Sequence, residues 1–157
     1  MTTHELALPS FLAAGDFERL LDRIPLARLA TVSEQGLPHL VPIVFARANG
    51  AIWMPIDGKP KSTRRVARLA NIAANPNVAL LIDEYSTDWS RLWWLRIDAI
   101  AQSIALSDAN IASVREALSA KYPQYGTNPK LATFTSLVRF SPRRVTGWIA
   151  SADAAPV

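Results

Sequence analysis

The chain has 157 residues, 50% of them hydrophobic and 19% charged, with 17 basic against 13 acidic residues, a formal charge of +4 and no cysteine. That length gives one domain able to bury about two-thirds of its unfolded surface, and the composition excludes disorder as the dominant state. The missing thiol excludes disulfides, thiolate nucleophiles and cysteine-based zinc sites, and with no leader-like start and no apolar run of about 18–20 residues the expectation is a cytoplasmic protein with no membrane partner.

Residues 1–15 read as a loose N-terminal arm, 16–149 as a single domain and 150–157 as a frayed tail. A short helix sets Phe17, Leu20, Leu21 and Ile24 on one face and stops at Pro25. Residues 26–32 and 37–46 form two strands around Ser33-Glu-Gln-Gly36, and Pro38 and Pro42 mark the second as an edge. Asn49-Gly50 turns into a third strand, 51–56, so the expectation is a meander of three antiparallel strands. Ser62 is a good N-cap for a helix with Val66, Leu69, Ala70 and Ala73 on one stripe and the arginines on the other face, ending before Pro76.

Residues 77–83 read as a buried strand and 85–90 as a polar loop. A long strand over 91–105 follows, with Trp93, Leu95, Ile97 and Ala99 on one face and Trp94, Arg96 and Asp98 on the other. An aromatic ring beside a guanidinium and a carboxylate suits a subunit contact or the rim of a ligand site, against the alternative of an exposed sheet face. Ser107 is expected to cap a helix carrying Ile111, Val114 and Leu118; 124–130 is read as a mobile loop, and 133–140 and 144–149 as the last two strands. About seven strands with three inserted helices predict an antiparallel barrel decorated by helices.

Five of the 17 basic residues, Lys59, Lys61, Arg64, Arg65 and Arg68, fall in the ten positions after Gly58. Cations at a helix start oppose the macrodipole by about 0.3–1 kcal/mol each, whereas free N–H groups flanked by Lys and Arg suit phosphate or carboxylate. The alternative is a solvated basic face. Concentration of the charge at one place favours a compact anion over a long polyanion, hence no nucleic-acid partner. With only His4 and His39, a multi-histidine metal site is hard to build, and His39 reads as a hydrogen-bonded strand residue before a catalytic one. No nucleophile elbow, Walker loop or Gly-x-Gly-x-x-Gly occurs. An anion site beside an apolar, Trp-rich barrel fits a cofactor with a flat ring and a phosphate tail.

The segments Arg28-Leu-Ala-Thr-Val32, Gly36-Leu-Pro-His-Leu-Val-Pro-Ile-Val-Phe45, Asp57-Gly-Lys-Pro-Lys61, Leu69-Ala-Asn-Ile72, Asp88-Trp-Ser-Arg-Leu-Trp-Trp-Leu-Arg96 and Val145-Thr-Gly-Trp148 resemble the pyridoxamine-5'-phosphate-oxidase-like family, in particular its branch of deazaflavin-dependent oxidoreductases using coenzyme F420. The resemblance runs from about residue 20 to 149 and implies a mainly β split barrel with inserted helices, a homodimer and cofactor sites at the subunit interface. It implies that the ring lies against the backbone of Pro42, Ile43, Val44, Ile56 and Asp57. It implies that the phosphate meets the segment of Gly58, Lys59 and Lys61 with Arg65 and Arg68, and that Trp94 and Arg96 come from the partner. Ala99 stands where relatives often have Gly, a methyl that would narrow the pocket.

By the same resemblance the reaction is hydride transfer from reduced F420 to a small electron-poor acceptor. The phosphate and oligoglutamate tail of that cofactor suit five cations better than FMN does, and FMN stays as the alternative. Tyr85 and Asp88 are candidate proton donors, against a reading of both as solvating loop residues. A carrier or sensor without turnover would use the same ring-binding residues, and a basic Trp-containing barrel that stacks nucleic-acid bases is a third reading.

Overall fold

The structure, a computed structural model, describes residues 6–57, 63–107, 111–127 and 134–156, with 57 and 63–66 described by their backbone alone. In chain order the elements are α1 (Ala14–Arg23), β1 (Ala27–Val32), β2 (Pro38–Ile43), β3 (Ala46–Ala48), β4 (Ala51–Asp57), α2 (Thr63–Ala74), β5 (Asn77–Glu84), β6 (Trp93–Ile104), α3 (Ile111–Lys121), the single turn α4 (Gln124–Thr127) and β7 (Phe134–Ile149). The strands form one antiparallel sheet in the order β2-β1-β5-β6-β7-β4-β3.

Local chemistry sets the turns. Gly36 takes φ +78° in the β1–β2 connection, where Ser33 accepts from the Gly36 N–H through its carbonyl and from the Leu37 N–H through its hydroxyl. Asn49 and Gly50 both have positive φ, 51° and 70°, which is the two-residue hairpin turn that Asn-Gly favours. The Asn49 amide also donates to the Ser113 hydroxyl at 2.8 Å, tying this hairpin to α3.

The predicted three-stranded meander does not form. β4 pairs with β3 and β7 and not with β2, although β2 ends at Ile43 and β3 begins at Ala46. Those two strands stand at opposite ends of the sheet order, yet three residues of chain span at most about 10 Å. The sheet therefore curls until its edges are neighbours, with no ladder between them, which is a split barrel. The crossing residues leave the ladder because Tyr122 takes their hydrogen bonds. Its hydroxyl accepts from the Phe45 N–H at 3.1 Å and lies 2.8 Å from the Phe45 carbonyl and 2.9 Å from that of Pro25. β2 is an edge, as its two prolines require.

The barrel interior is filled by Leu20, Leu29, Ile52, Met54, Leu80, Leu95, Ile97 and Phe140, all buried. A second cluster lies outside, where α3 lays Ile111, Val114 and Leu118 on Trp53, Phe134 and Leu137. Alternation along β4 thus splits Trp53 from Met54 between two cores.

Other expectations change in detail. The last two strands are one: β7 runs unbroken past Pro142, and the register step at Asp98/Ala99 leaves Arg143 as an extra residue, a bulge that bends the strand instead of ending it. On α2, Ala70 and Ala73 are exposed; Asn71 and Ile72 are buried, and the Asn71 amide donates to the buried Thr31 hydroxyl at 2.9 Å. A buried hydrogen bond, and not an all-apolar stripe, docks that helix. Ser62 lies outside the described residues, and so do residues 108–110 between Ser107 and α3, so the two expected caps fall outside what is described.

Ahead of α1, Leu12 is buried, Phe11 packs on the core and the Ala7 carbonyl accepts from the Val145 N–H at 3.3 Å. At the other end Ala154 is buried, Arg23 donates to the Pro156 carbonyl, and the Ser151 hydroxyl donates to the Ser90 carbonyl at 3.0 Å.

Candidate functional site

Where the chain crosses from β2 to β3, a cavity of about 180 Å³ opens between the two sheet edges, lined by Pro42, Ile43, Val44, Met54, Pro55, Ile56, Arg68 and Tyr125. Five of the residues expected to hold a cofactor, Pro42, Ile43, Val44, Ile56 and Arg68, meet there. The strand end is shaped for it. The β4–β7 register shifts between Ile56 and Asp57 and leaves Thr135 as an extra residue on β7, whose hydroxyl donates to the Ile56 carbonyl at 3.2 Å, so the ladder is interrupted beside the cavity. Arg68 is half-buried and reaches Met54 Sδ with Nη1 at 3.5 Å, which leans its guanidinium over the pocket and not out from the helix into solvent. The sequence reading placed the arginines of α2 on its far face; for Arg68 the opposite holds, because it shares a helix side with Asn71 and Ile72.

Gly58, Lys59 and Lys61 lie outside the described residues, and Asp57, Arg64 and Arg65 are described by backbone alone. α2 begins at Thr63, directly after β4 and this segment. Three lining residues escaped the sequence reading. Met54 and Pro55 sat inside a strand run, and Tyr125 in a segment read as a loop. Tyr125 belongs to α4 and makes edge-to-face contacts with Tyr122, centroids 6.0 Å apart, and Phe134, 5.2 Å apart. The Tyr122-Pro-Gln-Tyr125 spacing was the available signal.

Trp94 and Arg96 do not approach this cavity within the chain. The register row Pro42, Arg28, Leu81, Arg96 puts three strand steps, about 14 Å along the sheet, between Pro42 and Arg96. Both are half-buried on the outer face of β6, as alternation predicted, while Trp93, Leu95, Ile97 and Ala99 are buried. The Ala99 methyl thus packs in the core and not on the Trp94/Arg96 face. Asp98 holds two guanidinium groups, with Arg96 Nε 3.0 Å away and Arg144 Nε 3.3 Å away. Arg96 Nε is not aligned for a hydrogen bond, and the hydroxyl of Thr146, its neighbour on β7, is buried without a partner. Two buried polar atoms side by side are costly unless something covers and pairs them.

The candidate proton donors fare poorly. The Ser90 hydroxyl, at 2.6 Å, and the Ser90 N–H, at 3.1 Å, hold the Asp88 carboxyl below its ordinary range, so it is ionised at neutral pH and caps the short turn Trp89–Arg91. Neither Asp88 nor the exposed Tyr85 lines the cavity. His39, expected to be hydrogen-bonded, is half-buried on β2 with Nδ1 unpartnered. Among the described residues no three His, Asp or Glu side chains gather to hold a metal, and no helix is long and apolar enough to cross a membrane.

Solved structures share this architecture. A conserved hypothetical protein from Mycobacterium tuberculosis superposes with a TM-score of 0.71 at 17% identity, covering 96% of this chain and 94% of its own. HutZ, the heme storage protein from Vibrio cholerae, gives 0.66 at 19% identity over 88% and 94%. An FAD-binding protein from Mesorhizobium loti gives 0.63 at 18% over 87% and 92%. At such identities the likeness is one of fold. No curated protein matches the chain. The sequence profile of pyridoxamine 5'-phosphate oxidase matches residues 14–152, a span that runs from the first helix through all seven strands and includes the β2–β3 crossing and the Trp94/Arg96 strand. The chain is a member of the pyridoxamine 5'-phosphate oxidase family.

Proposed function

We propose that the protein is an oxidoreductase that binds the deazaflavin coenzyme F420 between two copies of the chain and uses it to reduce a small electron-poor acceptor. The observation that carries the reading is the convergence of Pro42, Ile43, Val44, Ile56 and Arg68 on one cavity. At about 180 Å³ that cavity is smaller than the roughly 300–1,000 Å³ of a complete small-molecule site, so in one chain it is part of a site. A second copy supplies the remainder: its Trp94 ring and Arg96 guanidinium cover the coenzyme, and the buried Nε and Thr146 hydroxyl find partners in the process.

In this reading the backbone at 42–44 and 55–56 holds the ring edge. Arg68, with Lys59, Lys61 and Arg65, holds the phosphate and its acidic tail. The coenzyme supplies the hydride when bound; the protein's part is to orient the ring and exclude water around it. FMN, which has a single phosphate and no acidic tail, is the alternative coenzyme.

The test is a titration of the purified protein with F420, FMN and haemin followed by tryptophan quenching, then oxidation of the reduced deazaflavin with a panel of enones and quinones. Tighter binding of F420 and turnover with at least one acceptor are expected. Preference for FMN or haemin would replace the coenzyme, and F420 binding without turnover would make the protein a carrier.

A further inference from the structure

Apart from the coenzyme cleft, a larger cavity of about 500 Å³ lies between the stretch before α1, helix α1 itself and the β3–β4 hairpin. Its walls are Leu6 and Leu8 on one side, Phe17 and Leu21 on another, and Ile52 at the floor. It shares no lining residue with the coenzyme cleft. The wall carrying Leu6 and Leu8 is fixed by the bond from the Val145 N–H to the Ala7 carbonyl. Both the volume and the apolar lining suit an organic molecule of moderate size.

Two ionisable groups line it, Glu18 and Arg47. Arg47 is already engaged outside the cavity: Nε and Nη2 donate to the two carboxylate oxygens of Asp22 at 3.2 and 2.8 Å, a fork that uses the geometry a guanidinium offers to an anion. Those contacts raise the Arg47 pKa, the hydrogen bond to Asp22 first among the causes, so the cation is permanent. Glu18 is the surplus. Its carboxylate stands 3.4 Å from Arg47 Nη1, makes no hydrogen bond among the described residues and is 57% exposed at the cavity mouth. Lys121 contributes no charge to the lining, its ammonium being turned to the Leu21 carbonyl at 2.6 Å. The rim thus presents one acceptor with unused capacity above an apolar well.

We infer that this cavity is a second ligand site, separate from the coenzyme cleft, that takes an apolar molecule bearing a protonated amine, with the hydrocarbon among Leu6, Leu8, Phe17, Leu21 and Ile52 and the ammonium on Glu18. A carboxylate at the same position would face Glu18 and a guanidinium that is already forked to Asp22, so acids are disfavoured. A neutral isostere keeps the apolar contact and loses the charge-assisted hydrogen bond.

Calorimetric titration of the whole protein with 4-phenylbutylamine, 4-phenylbutanol and 4-phenylbutanoate tests this. The amine is expected to bind with one site per chain, about tenfold tighter than the alcohol, with the acid weaker still. Glu18→Gln is expected to bring the amine down to the level of the alcohol. Ala14→Leu, an exposed lining position at the start of α1, narrows the well and is expected to weaken amine and alcohol together, while F420 titration of both variants stays unchanged. Equal binding of amine and alcohol, indifference to Glu18→Gln, or binding of none of the three overturns the inference. Thermal melts of both variants identify a folding defect, and the wild-type comparison of the three probes decides the question by itself.

Discussion

Single side chains do a disproportionate share of the positioning, and Tyr122 does the most. One phenol satisfies the N–H of Phe45 and one of two carbonyls at the point where the barrel is split, next to Val44 in the proposed coenzyme cleft. Burial pushes its pKa up, so the hydroxyl keeps its proton through the physiological range. Tyr122→Phe leaves buried backbone groups without a partner and is expected to lower stability by about 1–3 kcal/mol, measured by urea unfolding, and to weaken coenzyme binding through the loosened crossing. Unchanged stability would show that water replaces the phenol. Beside it, Lys121 sits 3.7 Å from the centre of the Phe45 ring, and burial lowers its pKa to about 8, partly offset by Asp22. Between that value and the ordinary lysine range the unfolded chain binds a proton that the folded chain has released, so stability from this group rises with pH across that window. The unfolding midpoint of the wild type, relative to that of Lys121→Met, is expected to move upward between pH 7 and pH 10; a flat or falling difference refutes the assignment. At this scale the sequence was informative where a period exposes a residue's face, as with Trp94 and Arg96 on β6. For Tyr122 and Tyr125 it offered only their spacing, because their roles depend on partners about 77 and 69 positions away in the chain, which no local pattern identifies.

Elements were legible where turn chemistry is strong. Asn49-Gly50 and Ser33–Gly36 define their hairpins with backbone conformations that few residues adopt. β7 was misread because Pro142 looks like a stop, but a bulge at Arg143 turns the break into a bend. The meander was misread because pairing between consecutive strands is the common outcome, and here two residues of crossing chain defeat it. Among the described glycines, the closest approach is at Gly147 in the β6–β7 pairing. A Cβ at Gly147 would lie 2.4 Å from Leu95 Cδ2 and 2.7 Å from the Trp94 carbonyl oxygen, with Phe11 at 3.1 Å. The carbonyl cannot swing aside without disturbing the strand that carries Trp94 and Arg96. Gly147→Ala is therefore expected to cost about 1–3 kcal/mol of overpacking in thermal or chemical unfolding, and to weaken coenzyme binding further than Ala substitution at exposed Thr135 does. Wild-type stability in this variant would mean that the two strands separate more easily than their register implies.

Among the described residues, one sheet face is covered by no element. Across it run Leu40 on the edge strand, 63% exposed, then half-buried Ala30, Ala79 and Ile100, with the Trp94/Trp148 pair at one end and Trp148 still 45% exposed. The same face holds Asp98 between two arginines, the Arg96 Nε that makes no aligned hydrogen bond, and the unpartnered Thr146 hydroxyl. Apolar surface interrupted by a few oriented polar groups is what an isologous contact needs, since each copy offers the same patch to the other. The sequence showed which side chains alternate onto this face, yet it could not show that the face is left open, because that depends on where α2 and α3 settle. If a second copy covers it, charge inserted there separates the copies and removes Trp94 and Arg96 from the neighbouring cleft at once. Trp148→Glu and Leu40→Arg are each expected to shift the sedimentation coefficient to that of a single chain and to reduce F420 affinity by about 10-fold or more, with far-UV circular dichroism unchanged because both positions are exposed. Arg68→Leu is the contrasting variant: it should lower affinity for the coenzyme while leaving the assembly intact. A wild-type protein that sediments as one chain at the concentrations of the coenzyme titration, or a Trp148→Glu variant that separates without losing coenzyme, would place the whole binding site within one chain and require the 180 Å³ cleft to open on binding.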